Sequence, residues 1–240
     1  MGITVTVLGV GEAFDVDQAN SSVLVRADGF TLLIDCGHSA VTPLWKACPG
    51  PEDIDAIYLT HLHCDHVLGL PALLDRWAYE GRRRPLTIVT AQAGIGRVRD
   101  LCAAVRIPLD AKSPFPVTLQ APDGRIGPFA VATASTRHAA PNEAIRLEAG
   151  GRRFAYSGDG RPTDASRALY AGVDLLMHEC WSPVATDNPT HCDLPTLRDL
   201  EGPGRVGLYH VRAGSRAALK EMVAGDGRLF VADAGTMLEV

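Results

Sequence analysis

Four side chains that can bind a metal ion lie within six residues, in the segment His61-Leu62-His63-Cys64-Asp65-His66. Imidazole groups suit zinc and similar divalent ions, and carboxylates suit harder cations. In an extended segment, side chains alternate, so His61, His63 and Asp65 point to one side. The pattern therefore predicts a metal site of the kind that activates water. Two adjacent ions could share it, one on the histidine pair and one on Asp65 and His66.

This segment lies between a predicted strand and a predicted helix. Asp55–Thr60 is an apolar run typical of a buried strand, and Leu68–Tyr79 has a helical pattern. The metal-binding side chains are therefore expected on a strand-to-helix loop, where catalytic residues are often found. The alternative interpretation is a polar loop that happens to contain three histidines.

Elsewhere, apolar or alternating runs predict further strands, and helical patterns lie between them. The strands cluster first and then alternate with helices, twice, which predicts two similar halves packed sheet to sheet. The other predicted strands are Thr4–Leu8, Ser22–Arg26, Thr31–Asp35, Leu86–Thr90, Phe129–Thr133, Ala144–Glu148, Phe154–Ser157, Val173–Met177, Val206–Tyr209 and Arg228–Val231. The other predicted helices are Ala40–Ala47, Ile95–Arg106, Pro162–Tyr170, Leu194–Leu200 and Ser215–Val223, and Pro108–Pro128 is expected to be loop with short strands.

The composition fits a globular chain, and we expect one domain over residues 1–240. The net charge of −5 disfavours a dedicated nucleic-acid-binding protein. No apolar run is long enough to span a bilayer, and no signal peptide is recognisable. The six cysteines are scattered and form no CxxC pair. We therefore expect a cytoplasmic protein with reduced thiols and no membrane partner.

Six arginines form a basic region in the middle of the chain. One interpretation is a solvated loop and helix face. The other is a rim that attracts an anionic substrate. These residues are Arg82, Arg83, Arg84, Arg97, Arg99 and Arg106.

Further candidate ligands stand where other predicted strands end. His138, Asp159 and His210 each follow an apolar run. An α/β enzyme places its chemistry at the ends of its strands. Each residue alone would be interpreted as an exposed polar side chain, but together with the first segment the three indicate one site.

With these residues, the chain resembles the metallo-β-lactamase superfamily over nearly its whole length. The motifs that carry the resemblance are Leu8-Gly9-x-Gly11, Leu33-Ile34-Asp35-Cys36-Gly37, Thr60–His66, His138, Ser157-Gly158-Asp159 and His210. The resemblance implies an α/β fold, a four-layer αββα sandwich, with two divalent metal ions at one edge. It implies that one ion is held by His61, His63 and His138, the other by Asp65, His66 and His210, with Asp159 bridging them. Zinc is the expected metal, with manganese and iron as alternatives.

Within the superfamily, the chain is most similar to the ribonuclease Z and cyclic phosphodiesterase branch. Two segments carry this likeness: Asp174–Glu179, which ends in His-Glu, and Thr190–Leu194, which contains His191. The likeness implies that Glu179 orients His191, and that His191 protonates the leaving oxygen. The predicted catalytic residues are therefore Asp65, Glu179 and His191. A capping glutamate and a surface histidine are the alternative interpretation of this pair.

We also expect supporting rather than metal-binding roles for two residues near these motifs, His178 and Asp35. His178 is expected in the core or behind the ligands rather than on a metal. Asp35 is expected near the site, where a carboxylate can orient a ligand histidine.

These assignments predict a metal-dependent hydrolase, a phosphodiesterase that cleaves a small cyclic or nucleotide-like diester through metal-bound hydroxide. Cys192-Asp193 follow His191 where tRNA processors of the branch carry a small hydroxyl residue, and no Gly/Pro-rich arm is evident. A tRNA 3′-end endonuclease is therefore disfavoured. A carboxylic ester, lactone or thioester hydrolase on the same fold is the alternative. A metal-binding effector without turnover is the third hypothesis.

The expected partner is a small anionic substrate rather than a nucleic acid or a membrane. Arg137 and Arg212 lie next to predicted ligands and could clamp a substrate anion, or they could be ordinary surface residues. A homodimer is a reasonable expectation, because most soluble oligomers are symmetric dimers.

Overall fold

Two mixed sheets of seven strands each form the centre of the computed structural model, which describes residues 2–240. The first sheet has the strand order β14 (Met237–Glu239), β1 (Thr4–Gly9), β2 (Ser22–Ala27), β3 (Phe30–Ile34), β4 (Ala56–Leu59), β5 (Leu86–Thr90) and β6 (Val117–Gln120). The second has the order β13 (Leu229–Val231), β12 (Arg205–Tyr209), β11 (Leu175–Glu179), β10 (Arg152–Tyr156), β9 (Glu143–Ala149), β8 (Phe129–Ser135) and β7 (Arg125–Ile126).

Helices cover the outer face of each sheet. Against the first sheet lie α1 (Val41–Ala47), α3 (Leu70–Tyr79) and α4 (Ile95–Ala104), and α4 is preceded by a 3₁₀ turn at Gln92–Gly94. Against the second lie α5 (Asp164–Tyr170), α6 (Leu194–Arg198) and α7 (Arg216–Met222). A short helix α2 (Cys64–Val67) follows β4. The predicted four-layer αββα sandwich is therefore confirmed.

Alternation along the central strands explains why the layers pack in this order. Leu32 and Ile34 of β3 join the core between the two sheets, whereas Leu33 joins the core under the helices. In β4, Tyr58 likewise joins the core between the sheets, and Ile57 joins the core under the helices. Both faces of these strands are buried, so the sequence shows continuous apolar runs instead of alternation with polar residues.

Parallel pairing brings the ends of several strands to one edge of the sandwich. Strands β3 to β6 pair parallel in the first sheet, and β10 to β13 pair parallel in the second. The carboxyl ends of β4, β10, β11 and β12 therefore open onto loops in the same region. Those loops carry most of the candidate site residues.

The predicted elements differ from the observed ones in informative places. Strand β11 runs to Glu179 rather than ending at Met177, so His178 and Glu179 are buried strand residues. Helix α2 begins at Cys64, inside the His61–His66 segment, and β14 was not predicted. Thr163 caps α5, since its side chain accepts from the backbone N–H of Ser166. None of the helices within residues 2–240 has the length and apolar character needed to cross a membrane.

The basic region divides into buried and exposed arginines. Arg82 is buried, and its guanidinium stacks over Trp77, with 4.8 Å between the guanidinium carbon and the ring centroid. Arg82 is therefore a structural residue and not part of a rim. The guanidinium donates hydrogen bonds to the backbone carbonyls of Pro51, Ile54, Arg84 and Pro85.

We expect Arg82→Ala to lower the free energy of unfolding by about 3 kcal/mol, because four backbone carbonyls would lose a charged donor and Trp77 would lose its packing partner. The neighbouring Arg83 is exposed, and Arg83→Ala is the matched control, with an expected change within about 0.5 kcal/mol. Urea denaturation measures both changes. Equal stability of the two variants would contradict this role of Arg82.

Candidate metal centre

All seven residues predicted as metal ligands converge at the edge where the parallel strands end. They form two groups, and within each group the candidate ligand atoms lie within 4.8 Å of one another. The first group is His61, His63 and His138, and the second is Asp65, His66, Asp159 and His210.

In the first group, three imidazole nitrogens face one another. His63 Nδ1 lies 3.1 Å from His61 Nε2 and 3.0 Å from His138 Nε2. Burial lowers the pKa of all three imidazoles, and the charges of neighbouring histidines lower it further. Neutral rings offer lone pairs, so this group suits a single cation.

In the second group, two imidazoles face two carboxylates. Asp65 Oδ2 lies 3.2 Å from both His66 Nε2 and His210 Nε2. His66 Nε2 and Asp159 Oδ1 lie 3.4 Å apart, but neither atom has a hydrogen-bond partner among residues 2–240. Buried polar atoms normally have a partner. These two unpartnered atoms therefore face the same space inside the second group. Its imidazole and carboxylate donors fit a divalent cation there.

Asp159 lies between the two groups. Its Oδ2 lies 3.3 Å from His210 Nε2 and 3.9 Å from both His61 Nε2 and His138 Nε2, while Oδ1 faces His66. Burial would raise the pKa of this carboxyl, but His210 and His66 hold it well below its usual range. The carboxylate is therefore ionised and placed where a ligand bridging two ions would be needed.

Hydrogen bonds fix the orientation of the candidate ligand histidines. The Nδ1–H of His66 donates to Asp35 Oδ2 at 2.8 Å, and that of His138 donates to the carbonyl of Thr190 at 2.9 Å. His61 Nδ1 lies 3.1 Å from Thr60 Oγ1. Each bond leaves the other ring nitrogen facing the site. The sequence pointed to Asp35, whereas nothing in the sequence marked Thr60 or the carbonyl of Thr190 for this role.

Asn142 was not recognised from the sequence, although it supports the loop of Asp159. Its side-chain oxygen accepts from the backbone N–H of Asp159 at 3.1 Å, and its amide donates to Thr136 and to the carbonyl of Ser157. Gly158 lies in this loop with φ of +59°, and a Cβ there would collide with the Asn142 side chain. A glycine is therefore required in the Ser157-Gly158-Asp159 motif.

Backbone strain accompanies two of the site residues. Asp35 has φ of +59° and His210 has φ of +51°, in the left-handed region that non-glycine residues seldom occupy. Such conformations cost on the order of 1–3 kcal/mol each and persist where surrounding contacts hold them. Here, the hydrogen bonds of Asp35 and the contacts of the second group hold them.

Glu179 and His191 form a hydrogen-bonded pair beside both groups. His191 Nδ1 lies 3.1 Å from Glu179 Oε1, which also accepts from the backbone N–H of Gly160 at 2.6 Å. Burial alone would lower the pKa of His191, but its hydrogen bond to Glu179 and the charge of that residue raise it. Glu179 is fully buried, whereas His191 is half-buried at the mouth of the site. His178 points elsewhere: it is buried, and its Nδ1–H donates to the carbonyl of Glu179.

A cavity of about 280 Å³ lies against the side of the site that carries His61 and His63. Its walls include Ala91, Gly94 and Ala140, and Arg97 is the cation in its lining. Among residues 2–240, the exposed side chain of Arg97 has no hydrogen bond or ion pair. Of the six arginines in the basic region, Arg97 is the one that lines this cavity. The two arginines considered as a clamp for a substrate anion, Arg137 and Arg212, are both exposed.

Comparisons with known proteins agree with this fold. The sequence profile of the family described as anti-Pycsar protein Apyc1 matches residues 3–221. Ribonuclease Z of Haloarcula marismortui is 27% identical over 98% of this chain and 96% of its own length. Anti-Pycsar protein Apyc1 of Paenibacillus sp. is 39% identical over 37% of this chain and 36% of its own length. The metallo-β-lactamase fold protein YhfI of Bacillus subtilis has a TM-score of 0.82 at 23% identity, with full coverage of both chains. The predicted resemblance to the metallo-β-lactamase superfamily near ribonuclease Z is confirmed.

We expect Asp35→Asn to weaken metal binding by about 10- to 100-fold, because the amide cannot offer His66 the negative charge of the carboxylate. Asparagine tolerates the left-handed conformation of residue 35, so the fold should survive. Competition with a chromophoric chelator measures the affinity. Asp100→Asn, an exposed change on α4, is the control. An unchanged affinity for both ions in Asp35→Asn would contradict the expectation.

Proposed function

We propose that this chain, which belongs to the anti-Pycsar protein Apyc1 family, is a phosphodiesterase that cleaves a small cyclic or nucleotide-like phosphodiester. At the coarser level, it is a metallo-β-lactamase-fold hydrolase related to ribonuclease Z. The observation that carries the finer proposal is the pair of Glu179 and His191 at the edge of the two ligand groups. An alkoxide is a poor leaving group and needs a proton, whereas a thiolate does not.

The residues of the two groups would hold two divalent ions, for which we propose zinc, with manganese or iron as alternatives. When bound, two such ions lower the pKa of water and neutralise the charge that develops on a phosphoryl oxygen. The carboxylates of Asp65 and Asp159 would fix the separation of the ligand groups.

His191 would act as the general acid. Its Nδ1 is engaged with Glu179, so its Nε2 is the nitrogen left to give a proton to the leaving oxygen. The backbone N–H of Gly160 donates to the carboxylate of Glu179 and fixes it. The buried carboxylate can therefore orient the imidazole of His191. Thus each residue of the pair has one task, orientation for Glu179 and proton transfer for His191.

The surroundings of the site support a small anionic substrate. The cavity beside His61 and His63 is lined by neither Glu179 nor His191. It is therefore available to the part of the substrate that stays on the phosphorus, while the leaving group lies toward His191. Arg97 in the cavity wall supplies a positive charge for an anion.

Metal-stripped protein should be inactive toward bis(p-nitrophenyl) phosphate, and zinc or manganese should restore turnover at roughly two ions per chain. Release of p-nitrophenolate and metal analysis of the same samples measure this. The Asp65→Ala variant should stay inactive after metal is added. Fully metallated protein that leaves the diester intact but hydrolyses a lactone or thioester would favour the alternative function.

For His191→Ala, we expect kcat on an alkyl phosphodiester to fall by about 10²- to 10⁴-fold, because the leaving alkoxide loses its proton donor. Hydrolysis of a thioester, whose leaving group needs no acid, should be nearly unchanged in the same variant. His38→Ala removes an exposed histidine and should leave both rates intact. A loss on the thioester alone would exclude His191 as the acid for phosphodiesters.

A further inference from the structure

Trp181 packs directly against His191, although nothing in the sequence marked it as part of the site. Its indole ring stacks on the imidazole with 4.8 Å between centroids and 25° between planes. It is also tilted against His210, at 6.1 Å and 36°. Trp181 is half-buried, so it forms part of the wall at the mouth of the site.

The backbone of Trp181 is tied to both segments that its side chain contacts. Its N–H donates to the carbonyl of Cys192, the residue after His191, at 2.9 Å. Its carbonyl accepts from the N–H of Arg212, two residues after His210, at 3.1 Å. These two bonds fix the backbone of Trp181 relative to both segments, and the ring contacts with His191 and His210 place the indole between them.

His191 needs such support, because its own connections leave its ring free to turn. One hydrogen bond to Glu179 fixes one atom of the imidazole, and the ring could still rotate about that contact. His191 also lies in an irregular segment, between β11 and α6. The stack with Trp181 restrains one face of the ring, and His138 contacts it edge to face at 5.1 Å and 76°. His210 also lies parallel to the ring, at 5.8 Å and 12°, and these three contacts together restrain its plane.

We propose that Trp181 is a positioning residue that holds the imidazole of His191 in the plane required for proton delivery to the leaving oxygen. This inference rests on the proposed phosphodiesterase function. The competing role for an aromatic ring at the mouth of a site is a platform on which a substrate ring stacks. The two roles differ in their dependence on the leaving group, since a platform acts on binding and a positioned acid acts on bond cleavage.

The test uses metal-loaded protein and two diesters with the same retained group, the p-nitrophenyl and methyl esters of thymidine 5′-phosphate. p-Nitrophenolate leaves without a proton donor, whereas methoxide needs one. We expect Trp181→Ala to lower kcat for the methyl ester by about 10- to 100-fold, the range for a small misplacement of a catalytic group. The kcat for the p-nitrophenyl ester should stay nearly unchanged, and so should KM for both esters.

Three further variants make the result specific. Trp181→Phe keeps an aromatic face and should recover most of the lost kcat. In a His191→Ala background, Trp181→Ala should cause no additional loss, because the group that it positions is absent. Trp45→Phe is the matched control, since Trp45 is also half-buried and stacks with Arg76, on α1 away from the site.

A readout without turnover accompanies the kinetics. In metal-free protein, His191→Ala should change the fluorescence emission of Trp181, and the change should be absent when Trp181 is phenylalanine. Equal losses of kcat on both esters, a change in KM alone, or unchanged fluorescence would overturn the positioning role. If wild-type protein with two bound ions hydrolyses neither ester, the proposed function fails instead, and the fluorescence still reports the contact.

Discussion

The buried carboxylate of Asp35 joins the three elements on which the candidate site depends. It stands at the end of β3, accepts from the backbone N–H of Thr60 at the end of β4, and accepts from His66 in α2. A carboxylate this deeply buried is stable only while its donors are in place. One side chain therefore fixes both ends of the His61–His66 segment: the backbone of Thr60 just before it and the imidazole of His66. The left-handed backbone of Asp35 is the local cost of that arrangement.

The remaining ligands reach this segment from the other sheet. His138, Asp159 and His210 follow β8, β10 and β12, whereas the segment from His61 to His66 follows β4 of the first sheet. The backbone just after β3, at Gly37, lies close to the backbone of α2, at Asp65. A Cβ at Gly37 would collide with the carbonyl oxygen of Asp65, so this position requires glycine. Packing between the two sheets, rather than any local motif, brings the two sets of candidate ligands together.

Much of the fold, and the set of candidate ligands that come together in it, could be predicted because the signals are local. The candidate ligands at positions 61, 63, 65 and 66 are close in sequence. His138, Asp159 and His210 each follow an apolar run that predicts a strand. Glu179 and His191 were identified by resemblance, because the contact between them spans separate segments. By contrast, the burial of Arg82, the stack of Trp181 on His191 and the support of Asp159 by Asn142 all depend on tertiary contacts. An isolated arginine, tryptophan or asparagine in a sequence carries no sign of such a contact. The same limit applies to β11. His178 and Glu179 are polar, so the apolar pattern predicts a strand that ends at Met177, although the strand continues to Glu179.

Strand β14 adds a constraint on how the protein is made. Residues 237–239 pair with β1, so the first sheet gains its outer strand from more than 200 residues further along the chain. Contacts of such long sequence separation slow folding, because the loop must close before the contact forms. During synthesis, β1 therefore keeps an open edge until residue 239 has left the ribosome. The His61–His66 segment is made early, but the second group of candidate ligands is complete only after His210 has been synthesised.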